Sequence, residues 1–166
     1  MPGGGLSSSA LMRWTGTGKI VSFYRYFLLN LPRTTTASGV ALVLGVGAVH
    51  LYLLVTDQAL GGGFDAPAYL RAYCAALLGA AVLSAVGMVA APKAGWALGS
   101  LVAVAAIAVY VSSRVWGLPD LPALEGHWGY ALGTFTLLLA GALLGLHFTV
   151  STGLNVAWPQ RRNWHD

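Results

Sequence analysis

Four stretches of this chain, each about 20 residues or longer, contain no Asp, Glu, Lys or Arg: Ala37 to Thr56, Ala72 to Ala91, Ala94 to Ser113, and Trp128 to Thr152. About 20 apolar residues let a helix cross ~30 Å of hydrocarbon at ~1.5 Å per residue. Lipid offers nothing to hydrogen-bond, so a segment placed there must close its amides on itself as a helix or on its neighbours as a closed barrel. Barrel strands alternate apolar and polar positions, and these runs do not. The expected fold is all-α: an integral membrane four-helix bundle with an N-terminal interfacial amphipathic helix.

Composition points the same way. Apolar residues make up 57% of the 166 residues and charged residues 8%, against roughly 25% charge in a soluble domain. Such a chain could not cover a water-facing surface. The net charge of +4 reads as juxtamembrane Lys and Arg rather than a nucleic-acid footprint. The single cysteine, Cys74, excludes an internal disulfide and any Cys-x-x-Cys chemistry.

Pro92 and Lys93 make a very tight turn, so the second and third spans are expected as antiparallel neighbours. Asp57 to Arg71, with Gly61, Gly62, Gly63 and Pro67, and Arg114 to His127, with Pro119 and Pro122, read as surface loops. Arg13, Lys19, Arg25, Arg33, Lys93, Arg161 and Arg162 fall on one side, only Arg71 and Arg114 on the other. Seven against two assigns the first side to the cytoplasm. Four acids, Asp57, Asp65, Asp120 and Glu125, lie on the opposite side. The expected location is a bacterial plasma membrane, multi-pass, with both termini cytoplasmic.

The expected organisation is a cytoplasmic tail plus interfacial helix over 1–36, the bundle over 37–152, and a basic cytoplasmic tail over 153–166. Residues 1–9 read as a flexible tail, and no secretory signal is expected because no apolar core follows the first positive charge. Ile20, Phe23, Tyr24, Phe27, Leu28 and Leu31 recur at spacings of three and four, with Lys19, Ser22, Arg25 and Asn30 largely between them. That pattern predicts a helix lying in the inner interface, ended by Pro32; docking to a partner subunit is the alternative use of the same face. Membrane helices pack through small residues that allow close approach. Gly95 and Gly99, Gly129 and Gly133, Gly141 and Gly145, and the stripe Ala76, Ala80 and Ser84 predict a compact bundle, some of whose faces meet another protein.

Two constellations carry possible chemistry. His50 in the first span and His147 in the fourth suggest a bis-histidine haem. Counting residues puts His50 ~5 Å outward of its span's middle and His147 ~11 Å inward of its own, hence ~16 Å apart in depth. Haem would need ligands from elsewhere, and hydrogen-bonded packing is the plainer role for His50. In the outer loop, Asp120, Glu125 and His127 could meet as oxygen and nitrogen ligands for Zn²⁺ or Cu²⁺. The plainer reading pairs Glu125 with Arg114 or Arg71, leaves His127 as an interfacial polar group, and uses Trp116 and Trp128 as belt aromatics. Thr15 to Lys19 lacks the spacing of a phosphate loop. Neither Gly-x-Ser-x-Gly nor His-Glu-x-x-His occurs. No charged residue lies deep in a span, which disfavours a proton relay confined to this chain.

The stretch Ser112, Ser113, Arg114, Val115, Trp116, Gly117, Leu118 and Pro119, followed by Glu125 and Trp128, resembles a motif of small, uncharacterised multi-span membrane proteins of high-GC Gram-positive (actinobacterial) type. It covers about 17 residues, and it implies a multi-span protein while carrying over no activity or ligand. The expected function is a non-catalytic accessory subunit of a larger membrane complex of respiratory or electron-transfer kind, not an enzyme on its own. Its expected partners are the lipid bilayer and other membrane subunits or copies of itself, with no nucleic acid. The alternatives are a redox protein binding haem or copper through the residues above, and an oligomeric small-solute transporter. The latter needs a polar cavity, for which the spans offer Ser84, Ser100, Tyr110, Ser112, Thr134, Thr136, His50 and His147.

Overall fold

The structure, a computed structural model, describes residues 17–56, 66–155 and 157, with side chains from Pro32 onward except that of Ala123. The N-terminal tail, the glycine-rich part of the first loop, Arg161 and Arg162 lie outside the described residues, as do the side chains of the amphipathic pattern. Four helices carry the fold: α1 Thr17–Thr56, α2 Ala68–Ala90, α3 Pro92–Val115 and α4 Ala131–Ser151, with a 3-10 turn at Pro122–Leu124. From Pro32 in α1, and over the whole of α2, α3 and α4, they are long and apolar enough to cross a membrane. This is the architecture of a multi-pass membrane protein.

One expected boundary moves. The helix does not stop at Pro32; the backbone runs unbroken from Thr17 to Thr56 with Pro32 inside it. Proline withholds one N–H from the carbonyl four residues back. Ending the helix would instead leave four carbonyls without intrahelical partners. Between α2 and α3 the connection is a single residue, Ala91, with φ −140° and ψ 72°. Pro92 occupies the first helical position of α3, where its missing N–H costs nothing.

Each helix packs on the next in sequence and α4 closes back on α1, while the α1–α3 diagonal is sparse. The helices run up-down-up-down, so Pro32 and Ala157 lie at the same end of the bundle. Thr36 Oγ1 lies 2.6 Å from the Ala157 carbonyl, which fastens the chain after α4 to α1. The centre holds Val43, Val46, Ala81, Met88, Trp96, Ala103, Ala140 and Leu143, and a second apolar cluster at the loop end joins Val49, Leu53, Leu70, Cys74, Leu121 and Leu124. Large apolar side chains also face outward: Val55, Leu83, Val86, Leu101, Leu138 and Phe148 are all exposed. Water would oppose that surface; hydrocarbon tails match it.

Small residues set the closest approaches. A Cβ on Gly95 would sit 2.1 Å from the Met88 nitrogen, and one on Gly99 would sit 2.7 Å from Ser84 Oγ. Ser84 Oγ donates to the Gly95 carbonyl at 2.9 Å, so its hydroxyl stitches α2 to α3. The expected small-residue stripe divides on α4: Gly133 is pressed against Tyr110, whereas Gly129, Gly141 and Gly145 have nothing within 4 Å.

Candidate functional site

Buried polar side chains collect near the loop end. His50 on α1 is 4% exposed. Its Nδ1 lies 2.8 Å from the Val46 carbonyl, one helical turn back. A carbonyl only accepts, so Nδ1 carries the proton and Nε2 is the ring's acceptor. The imidazole meets the Tyr73 ring of α2 edge-on, with centroids 5.5 Å apart. Beside them lies a cavity of about 20 Å³ lined by His50, Tyr73, Tyr110, Tyr130, Gly133 and Thr136 among others. Thr136 Oγ1 already donates to the Leu132 carbonyl at 2.9 Å. The buried hydroxyls of Tyr110 and Tyr130 have no protein hydrogen-bond partner.

Arg114 closes this region from the loop. It is 2% exposed despite its charge. Its guanidinium carbon stands 5.0 Å from the Tyr110 ring centroid and 5.9 Å from that of Tyr130, within cation–π range. Nη1 donates to the Leu124 carbonyl at 3.4 Å, and the Arg114 carbonyl accepts from the Gly126 amide at 2.9 Å. The loop is thereby folded over the end of α3. Its turn needs Gly117, whose φ of 70° is unfavourable for a side chain and whose Cβ would meet Pro122 Cα at 3.3 Å. Burial raises the Tyr130 phenol above its ordinary value, Tyr52 adds to this and Arg114 opposes it.

The sequence reading pairs Glu125 with Arg71 or with Arg114, the latter at the loop's edge. The structure turns Arg114 into the bundle, and Glu125 is exposed. Tyr110, four residues earlier on the same helix face, is the signal in the sequence, although a charged residue beside a loop usually faces water.

The two histidines are not brought together. His147 on α4 is hydrogen-bonded through Nδ1 to Ser100 Oγ and stacks on Trp96 with centroids 5.7 Å apart. The α3 residues beside it, Trp96 and Ser100, lie about ten positions from Ala106 and Tyr110 beside His50, which is ~15 Å along the axis. Nor do the loop residues converge. The His127 ring nitrogen Nδ1 lies 3.2 Å from the Glu125 backbone carbonyl, not its carboxylate. Asp120 occupies a left-handed turn with φ 65°. Among the described residues no group of three or more His, Cys, Asp or Glu is placed to hold a metal ion.

The site's scale limits its chemistry. A cavity of about 20 Å³ is far below the ~300–1,000 Å³ of sites for organic ligands. A larger space of about 490 Å³ opens at the other end of the bundle, between Pro32, Arg33, Val40, Met88, Pro92 and Ala157. Its lining holds no nucleophile paired with a base. Comparison with protein-family models, curated proteins and solved structures finds no match to this chain.

Proposed function

We propose that this chain is a non-catalytic subunit of a larger membrane assembly, inserted in the bacterial plasma membrane with both termini cytoplasmic, and that α4 is its docking helix. One observation carries the reading. Only 22% of the α4 span is buried, against 33–39% for the other three. Its outward face presents Gly141 and Gly145, with open space where side chains would be, between the exposed Leu138 and Phe148. Gly-x-x-x-Gly lets a second helix backbone approach closely. The polar groups of the described residues cluster inside the bundle, which leaves packing as the chemistry the exterior of α4 offers. Arg33 and Lys93, at the end where the first span begins and the fourth ends, support the orientation.

Extraction from membranes in mild detergent, followed by sizing, tests the reading. The wild type should run in an assembly larger than one chain. Gly141→Ile and Gly145→Ile should release the monomer without lowering its melting temperature, because neither site has an intramolecular neighbour to displace. A chain that always runs as a lone monomer sinks the proposal. A reporter fused at the carboxyl end should be active only in the cytoplasm.

A further inference from the structure

We infer that the cavity between His50, Tyr110 and Tyr130 is a hydration site. It holds one ordered water molecule, which ties α1 and α3 to the start of α4 at the loop end. This does not depend on the docking role of α4. Three observations converge. The cavity measures about 20 Å³; roughly 10–15 Å³ is needed for one water. Its walls are mainly apolar but carry polar groups in need of a partner. Tyr110, itself only 4% exposed, and Tyr130 both have buried hydroxyls that no protein group satisfies, and an unmet buried hydroxyl is costly. The Val46 carbonyl fixes the His50 tautomer, leaving Nε2 to accept. A water can accept from both phenols and donate to the imidazole, which gives it three partners, the usual number for a buried water. The lining residues come from every helix or its edge: His50 from α1, Tyr73 from α2, Tyr110 from α3, and Tyr130, Gly133 and Thr136 from the start of α4. Most of the lining is apolar, and the two unmet phenol hydroxyls are what set this cavity apart from a dry void.

Radiolytic hydroxyl footprinting of the full-length wild-type protein in lipid nanodiscs tests the inference directly, since a bound water is a local radical source. Tyr110 should be modified at a rate comparable to the exposed Tyr69; an unlabelled Tyr110 overturns the inference. Substitution gives an independent reading. Tyr110→Phe and Tyr130→Phe should each raise the unfolding equilibrium constant, against the folded state, by about ten-fold. The double variant should lose about the same ten-fold rather than a hundred-fold, because both hydroxyls share one water. Single variants that are neutral or more stable, or effects that multiply, would show that no water bridges the pair. Crystals grown in bromide supply the last arm: an anomalous peak between the two hydroxyls would mean an anion occupies the site, and the water assignment would fall.

Discussion

Arg114 is the residue on which the loop end turns. A buried guanidinium retains favourable energy only if its surroundings replace water, and here two aromatic faces and a carbonyl do so. Arg114→Ala should therefore cost about 2–4 kcal/mol of unfolding free energy, from a desolvated cation–π contact and a charged hydrogen bond. Arg114→Lys should recover little, because a compact ammonium lacks the planar stacking surface. Denaturant unfolding in detergent micelles checks both, and a lysine variant as stable as wild type would exclude the stacking account. Tyr130 gives a pH test. Its phenol is held above its ordinary value by burial, so the fold favours the neutral form. The resulting stabilisation is complete below the unfolded value of about 10 and fades as pH rises through the folded value. Stability should decline in strongly alkaline buffer, and Tyr130→Phe should make that decline shallower.

Among the elements, identical residues have opposite meanings according to which way they face. Gly95 abuts backbone on α2, where an added Cβ would lie 2.1 Å from the Met88 nitrogen and 2.2 Å from the Gly87 carbonyl carbon. Backbone cannot swing aside as a side chain can. Gly95→Ala should cost about 3 kcal/mol or more. Gly133→Ala should also destabilise, since the Tyr110 ring occupies the space its methyl would take, and moving that ring disturbs Arg114. Gly141→Ala meets open space and should stabilise the isolated bundle by about 0.5–1 kcal/mol through helix propensity alone. Unfolding midpoints of the three variants decide the matter; a destabilised Gly141→Ala would show that α4 already packs against something within the chain.

Across the whole molecule, the division of labour is radial and axial. Radially, the described interior holds alanine, valine, leucine and serine around Met88 and Trp96, and the exterior also presents leucine, valine and phenylalanine. Burying apolar mass is not what drives assembly in hydrocarbon; close packing and satisfied polar groups are. Axially, two polar nodes sit on different levels: Ser100, His147 and Trp96 nearer Pro32 and Ala157, and His50, Tyr110, Tyr130 and Arg114 nearer the loop over residues 114–127. Separating them means that losing one should leave the other intact. Destabilisation from His50→Phe and Ser100→Ala should accordingly add within about 0.5 kcal/mol, and strong coupling in a double-mutant cycle would contradict independent nodes.

The four spans were legible in the chain because charge is forbidden in hydrocarbon at every position, so absence of Asp, Glu, Lys and Arg marks a span without reference to any neighbour. The antiparallel α2–α3 pair followed from Pro92 for the same local reason. Even the axial separation of His50 and His147 could be counted from helical rise alone. What tertiary packing decided was facing. Gly133 and Gly141 stand in the same helix with the same composition around them, yet only one meets a partner, because which glycine faces inward depends on how α4 is rotated against α3. Arg114 was readable as a loop-edge charge and became a buried one, since the rings that replace its water come from Tyr110 in its own helix and Tyr130 at the far side of the loop. Solvent preference acts on each residue separately, so sequence suffices for it; contact is a property of pairs, and only the folded chain makes the pairs.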